Sequence, residues 1–191
     1  MHQKVAIGKN LANSLSLCQV ISITPINASI TQDSYLPELE NNDKVIDLDC
    51  LQSQLNSKQL NQLESLVIRT LPNGENKLSC TYNSNNQPPF FTHQAMSWLA
   101  QSGIKHLLVD MPSIDKMYDD AQLSNHHIYW NIEPNSRLLN DDSKIQRTIT
   151  EMIFVDDTVE DGLYCLNLQI PAFELDAAPS RPVLYALKIT L

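Results

Sequence analysis

Residues 110–127, DMPSIDKMYDDAQLSNHH, gather carboxylates, a serine and two adjacent histidines into one short polar stretch. Such side chains hold divalent cations or move protons in hydrolytic chemistry. Asp110 directly follows the apolar run Leu107-Leu108-Val109, and side chains at the carboxyl end of a buried strand face the crevice where α/β proteins bind ligands. Asp110, Ser113 and Asp115 are therefore candidate site residues. A structural role accounts for much of the same motif: Pro112 forces Met111 out of the helical region, and Ser113 or Asp115 can cap a short helix that follows. Neighbouring side chains of an extended chain point to opposite sides, so only one of His126 and His127 is expected to face a given pocket. A surface histidine pair is the commoner finding.

A second signal lies in TITEMIFV, residues 148–155, where a carboxylate interrupts an apolar run. Strand alternation puts Ile149, Glu151 and Ile153 on one face. A carboxylate buried between isoleucines costs several kcal/mol unless it meets a cation or an ion-pair partner. A metal and an arginine satisfy it equally well, and Arg147 on the same face is the nearest candidate. Asp176 and Arg181 in ELDAAPSRPVL can likewise pair to pin a turn.

The elements that must position these residues are legible as apolar runs between polar, proline-bearing connections. SLCQVISIT (16–24), SLVIRT (65–70) and HLLVD (106–110) are short, apolar runs and read as strands. The lack of alternation in HLLV predicts a strand covered on both faces. TITEMIFV, LYCLNLQI and PVLYALKIT supply three more. Leu48, Leu51 and Leu55 mark one amphipathic helix; Ala95, Met96, Leu99 and Ala100 mark another, with Thr92 as its N-cap and Gly103 just past its end. CTYNSNNQPPFF (80–91) reads as a loop. Helices leading into buried strands predict an α/β fold, a mixed sheet with flanking helices.

Composition narrows the function classes. With 191 residues, 42% of them hydrophobic, the chain 1–191 suits one domain with one core. A formal charge of −9 without Lys/Arg clusters argues against nucleic acid or an anionic membrane surface as partner. No apolar run approaches the ~20 residues of a membrane span, and the N-terminus lacks the order of a signal peptide, so a cytoplasmic protein is expected. Cys18, Cys50, Cys80 and Cys165 are scattered without C-x-x-C spacing, three of them (Cys18, Cys50 and Cys165) among apolar residues, and read as buried free thiols rather than a disulfide or zinc cluster.

Taken in order, VIRTLPN, HLLVDMPSIDKMYDDAQLSNHHIYWN, TITEMIFVDDTVEDGLYCLNLQI and FELDAAPSRPVLYAL resemble the cyclase family of metal-dependent hydrolases. Its best-known member is kynurenine formamidase, an enzyme of tryptophan catabolism. The resemblance covers most of residues 15–187, about the C-terminal two thirds of the family domain, and rests on D-x-P-S-x-D, a following His, a strand with Glu, and D-A-x-P-x-R in register. It implies a swivelling β/β/α-type fold, N-terminally truncated relative to the family, and a homo-oligomer such as a dimer or tetramer. It also implies a divalent metal, zinc or manganese, and a small-molecule amide substrate of the N-formylkynurenine type, or a related cyclic or ester bond, cleaved by activated water.

Residue by residue, His126 and Glu151 match the family's metal ligands and His127 carries no role. Asp110, Ser113 and Asp115 match a loop that shapes the pocket floor, and Trp130 with Tyr129 offers an aromatic wall, although Trp130 suits a core position as well. The family's H-x-G-T-H-x-D motif stands nowhere in the chain. His2 falls about where that segment's last histidine would, and matches the family's acid/base histidine. A catalytic zinc normally has three protein ligands, of which His126 and Glu151 supply two. Two expectations follow: a hydrolase using these residues, or a remnant that keeps the fold and oligomer interface without activity.

Overall fold

The computed structural model describes residues 6–7, 11, 13–134, 136 and 138–187. Its centre is a six-stranded sheet in the order β7-β6-β4-β1-β8-β9. The strands are β1 (Leu15–Ile23), β4 (Ser65–Thr70), β6 (His106–Val109), β7 (Thr148–Thr150), β8 (Gly162–Gln169) and β9 (Arg181–Ala186). β1, β4, β6 and β7 run parallel, and β8 and β9 extend the sheet as antiparallel strands. A three-stranded sheet, β2 (Ile26–Asn27), β3 (Lys44–Ile46) and β5 (Phe90–Phe91), stands apart from the large one. The expected loop at 80–91 thus ends in a strand.

Four α-helices are described: α1 (Leu48–Gln54), α2 (Ser57–Leu60), α3 (His93–Ala100) and α4 (Ser124–Trp130). Asp47 caps α1 by accepting from the Cys50 N–H, and Thr92 caps α3 by accepting from the Ala95 N–H. α3 stops at Gln101 in right-handed conformation, so Gly103 is not its C-cap.

Every residue of β4 and β6 is buried, as the unbroken HLLV run required. On one face Ile21, Ile68, Leu107 and Val109 pack with Leu51, Met96, Leu99 and Tyr129 from the helices. On the other, Cys18, Val20, Val67, Leu108 and Leu166 pack beneath Val155. Burial pushes the Cys18 thiol up to about 12; all four cysteines are free, but only Cys18 is buried, and Cys50, Cys80 and Cys165 are partly exposed. This is the mixed α/β sheet with flanking helices expected from the sequence. Among the described residues no helix is long and apolar enough to cross a membrane.

Three expectations are corrected. β7 ends at Thr150, so Glu151 lies beyond the strand, and Met152 adopts φ 58°. That left-handed residue breaks the alternation: Ile149 packs with the helix-side core and Ile153 with the opposite one. Second, Arg147 does not partner Glu151. Its guanidinium donates to the carbonyls of Ala100 and Tyr129, both at 2.7 Å, and lies 5.1 Å from the Tyr129 ring centroid. It thereby satisfies carbonyls at the ends of α3 and α4, groups that have no intrahelical donor. Third, Asp176 and Arg181 are exposed and form no ion pair among the described residues.

Arg147→Ala should therefore cost about 2–3 kcal/mol, the scale of charge-assisted hydrogen bonds lost from partly buried carbonyls. Arg147→Lys should recover little of it, because one ammonium cannot reproduce the planar fork. Urea denaturation of the two variants measures both.

Candidate functional site

The chain leaves β6 at Asp110 and crosses to α4 through residues 111–123, which form bends and turns rather than the short helix expected there. Asp110 accepts from the Thr70 N–H at 2.8 Å, the Thr70 hydroxyl at 2.9 Å and the Lys77 ammonium at 2.7 Å. Its carboxylate is used to tie the ends of β4 and β6 together. It is not brought to the other candidates.

Asp115 is the hub of the loop, with a side chain 1% exposed. One oxygen accepts from the Tyr35 hydroxyl at 2.8 Å and the Asn125 N–H at 2.7 Å; the other lies 2.6 Å from His126 Nδ1 and accepts from the His126 N–H at 3.3 Å. Burial pushes its carboxyl up, but the His126 side chain, the Asn125 N–H and the Tyr35 hydroxyl outweigh this and hold it below the usual range. Asp115 thus caps a helix that begins nine residues later while gripping a ring on that helix. The capping expected of this residue is seen, on a helix further along the chain than the expected one.

The helix α4 itself follows from local capture of the backbone. Asp119 accepts from the Ala121 and Leu123 N–H groups at 2.9 and 2.7 Å, and Asp120, Ala121 and Leu123 all take positive φ. Asn131 ends the helix in left-handed conformation, which its short amide side chain tolerates. On a helix, His126 and His127 diverge by about 100°. His126 turns to Asp115, while His127 lines a separate cavity of about 630 Å³ with His93, Ser97, Ser124 and Arg147.

Beyond His126 stands Glu151. Its Oε1 lies 3.6 Å from His126 Nε2 and accepts from the Ile114 N–H at 3.0 Å. Burial raises the Glu151 carboxyl above its ordinary value; His126, the Ile114 N–H and the Ser113 hydroxyl oppose the shift, and nearby Asp115 adds to it. Met152 donates to the Met111 carbonyl and Ile153 to that of Val109, so the segment after β7 stays fastened to the end of β6. Trp130, one turn after His126, sits with its ring centroid 5.2 Å from the imidazole and donates from Nε1 to the Arg147 carbonyl at 3.0 Å. It also packs against the helix-side core, whereas Tyr129 is wholly in that core.

The structure thus brings together Ser113, Asp115, His126, Trp130 and Glu151. His2 lies outside the described residues. Tyr35, Lys77 and Lys116 are supporting residues that the sequence pattern did not reveal.

The donor set can be tested for a cation. Two ligands each about 2.0–2.2 Å from a tetrahedral metal lie roughly 3.3–3.6 Å apart, which the separation of His126 Nε2 and Glu151 Oε1 meets. An imidazole ligand also normally gives its other N–H to a carboxylate, and His126 Nδ1 lies 2.6 Å from Asp115. The pair suits half of a coordination shell. Among the described residues no group of three or more His, Cys, Asp or Glu side chains is placed to hold a metal.

Comparison with known proteins bears on these residues. The sequence profile of the family described as "Putative cyclase" matches residues 20–116, slightly more than half of the chain. The match includes Asp110, Ser113 and Asp115 and stops short of α4. No match was found among curated proteins. Among solved structures, the chain is similar to a "potential metal-dependent hydrolase with cyclase activity" at 16% identity and TM-score 0.56, covering 91% of this chain and 66% of that one. It is also similar to a "predicted metal-dependent hydrolase from Bacillus stearothermophilus" at 16% identity and TM-score 0.55, covering 91% and 65%. At that identity the likeness is one of fold. The fold and its loop from β6 define an α/β protein of the type these hydrolases share. By its sequence the chain belongs to the cyclase family.

Proposed function

We propose that this protein is a metal-dependent hydrolase acting on an amide, or a related cyclic or ester bond, of a small molecule, with an arylformamide of the N-formylkynurenine type as the first substrate to test. The observation that carries the reading is the pair His126 Nε2 and Glu151 Oε1, 3.6 Å apart, with His126 Nδ1 already committed to Asp115. Two acceptor atoms facing each other at that distance, one on a partly buried carboxylate, suit a shared cation. His126 and Glu151 would hold zinc or manganese, with at least one further donor from outside the described residues or from a neighbouring copy in a homo-oligomer. A divalent cation bound there supplies Lewis acidity, polarising a carbonyl and lowering the pKa of a water molecule. Ser113 steadies Glu151, Asp115 orients His126, and the Trp130 ring gives the site an apolar side that favours a flat substrate. His2 is the proposed proton shuttle.

One observation favours the other reading, a family member that keeps the fold without turnover: only two donors converge among the described residues. Zinc titration by calorimetry, paired with turnover of N-formylkynurenine and a simple lactone, separates the two. His126→Ala is expected to lower zinc affinity ~10- to 100-fold or more, and His127→Ala to leave it unchanged. Equal losses in both variants, or loss only in the second, would remove His126 from the site.

A further inference from the structure

The hydrogen bonds around Asp115 form an ordered chain that begins 80 residues upstream. The Lys116 N–H donates to the Tyr35 hydroxyl oxygen at 2.9 Å, so the phenolic proton is directed elsewhere. It goes to Asp115 Oδ1 at 2.8 Å. That oxygen also receives the Asn125 N–H, and the second oxygen receives the His126 N–H. The fourth contact, His126 Nδ1 at 2.6 Å, meets a buried carboxylate whose other partners are all donors. A carboxylate without a proton only accepts. The proton between them therefore sits on Nδ1, and in the neutral ring Nε2 presents its lone pair toward Glu151.

We infer that Tyr35 and Asp115 are positioning residues that fix His126 in its Nδ1–H tautomer and so make Nε2 available to a ligand. The use of that lone pair for a cation rests on the proposed function; the tautomer does not. Tyr35 suits the task because its own ring is immobilised, 4.8 Å from Phe90 and 4.9 Å from His93 by ring centroids. The small sheet carrying Phe90 thereby acts on a helix of the other layer. Replacing the carboxylate by an amide is disruptive in either orientation, since an NH2 group would face the Asn125 or the His126 backbone N–H. Phenylalanine at 35, by contrast, removes only the hydroxyl.

The experiment is a long-range proton–nitrogen correlation spectrum of the metal-free protein at pH ~9, above the ordinary imidazole range of ~6.5, with zinc titrations of the wild type, Tyr35→Phe, Asp115→Asn and His126→Ala. Expected are an Nδ1–H ring at position 126 in the wild type, a ~10- to 100-fold weaker zinc affinity with a mixed tautomer in Asp115→Asn, and a severalfold loss in Tyr35→Phe with unchanged far-ultraviolet circular dichroism. An Nε2–H ring in the wild type overturns the inference. So does a Tyr35→Phe variant that folds and binds zinc as the wild type does while His126→Ala abolishes binding, and in that case the cation site stands. If instead the tautomer is as stated and depends on Asp115 but His126→Ala leaves zinc binding unchanged, the positioning stands and the cation site falls.

Discussion

Glu151→Gln is expected to abolish cation-linked stabilisation while leaving the metal-free protein at least as stable as the wild type. The carboxylate is partly buried, with a side chain 27% exposed, and burial raises its pKa, so the charged form is disfavoured in the fold. A glutamine of the same shape removes that charge and keeps an oxygen for the Ile114 N–H. As a ligand it is far poorer. Loss of an outer partner already costs ~10- to 100-fold in metal affinity, so loss of a direct donor should cost ~100-fold or more. Thermal unfolding with and without saturating zinc reads both effects, since a ligand bound only to the native state stabilises it by an amount that grows with the logarithm of the free-ligand concentration over Kd. If Glu151 were instead half of a structural ion pair, the variant would lose stability without metal, and its effect would be coupled to that of Arg147→Ala. The two residues share no contact, and their effects should add.

Arg147 shows where sequence periodicity misleads. Strand alternation placed it beside Glu151, but β7 is three residues long and Met152 turns the chain out of register immediately after Glu151. What the pattern did reveal was the anomaly, a carboxylate in an apolar segment that needs a partner. The buried strands β4 and β6 and the helices α1 and α3 were equally legible, because burial on both faces, the helical spacing of Leu48, Leu51 and Leu55, and the Thr92 cap leave local signatures. α4 left none. Its start depends on non-glycine residues in left-handed conformation and on the carboxylate of Asp115, nine residues before the helix, as acceptor, so the cap expected of Asp115 serves a helix further along than the one anticipated, and no apolar period announced the helix that carries His126. The strands of the small sheet span only two or three residues, too few for any alternation to be seen. Tyr35 is tied to Asp115 across 80 residues, a contact that follows only from folding.

Lys116 should give the largest loss of stability of any variant considered. Its ammonium lies 2.8 Å from Asp43 and 3.1 Å from Glu40, and the side chains of Lys116 and Asp43 are each 3% exposed. Removing one partner of such a pair leaves an uncompensated buried charge and costs about 3–5 kcal/mol. Lys116→Met is expected to fall in that range, and Asp43→Asn added to it should recover part of the loss by removing the stranded carboxylate. Burial disfavours the ammonium, but hydrogen bonds and charge from Asp43 and Glu40 more than offset this and raise its pKa above the ordinary lysine value of 10.5. The contribution is therefore complete below 10.5 and disappears only as pH rises through the folded value, so Lys116→Met and wild type should converge in stability at strongly alkaline pH and differ throughout the neutral range. The pair also bears on the site. It anchors the residue next to Asp115 to residues 40–43 and keeps the Lys116 N–H on the Tyr35 hydroxyl. The variant should thus weaken zinc binding even at temperatures where it remains folded, an effect that urea titrations and calorimetry at 10 °C would separate; unchanged affinity in the folded variant would show that Asp115 holds His126 without support from this clamp.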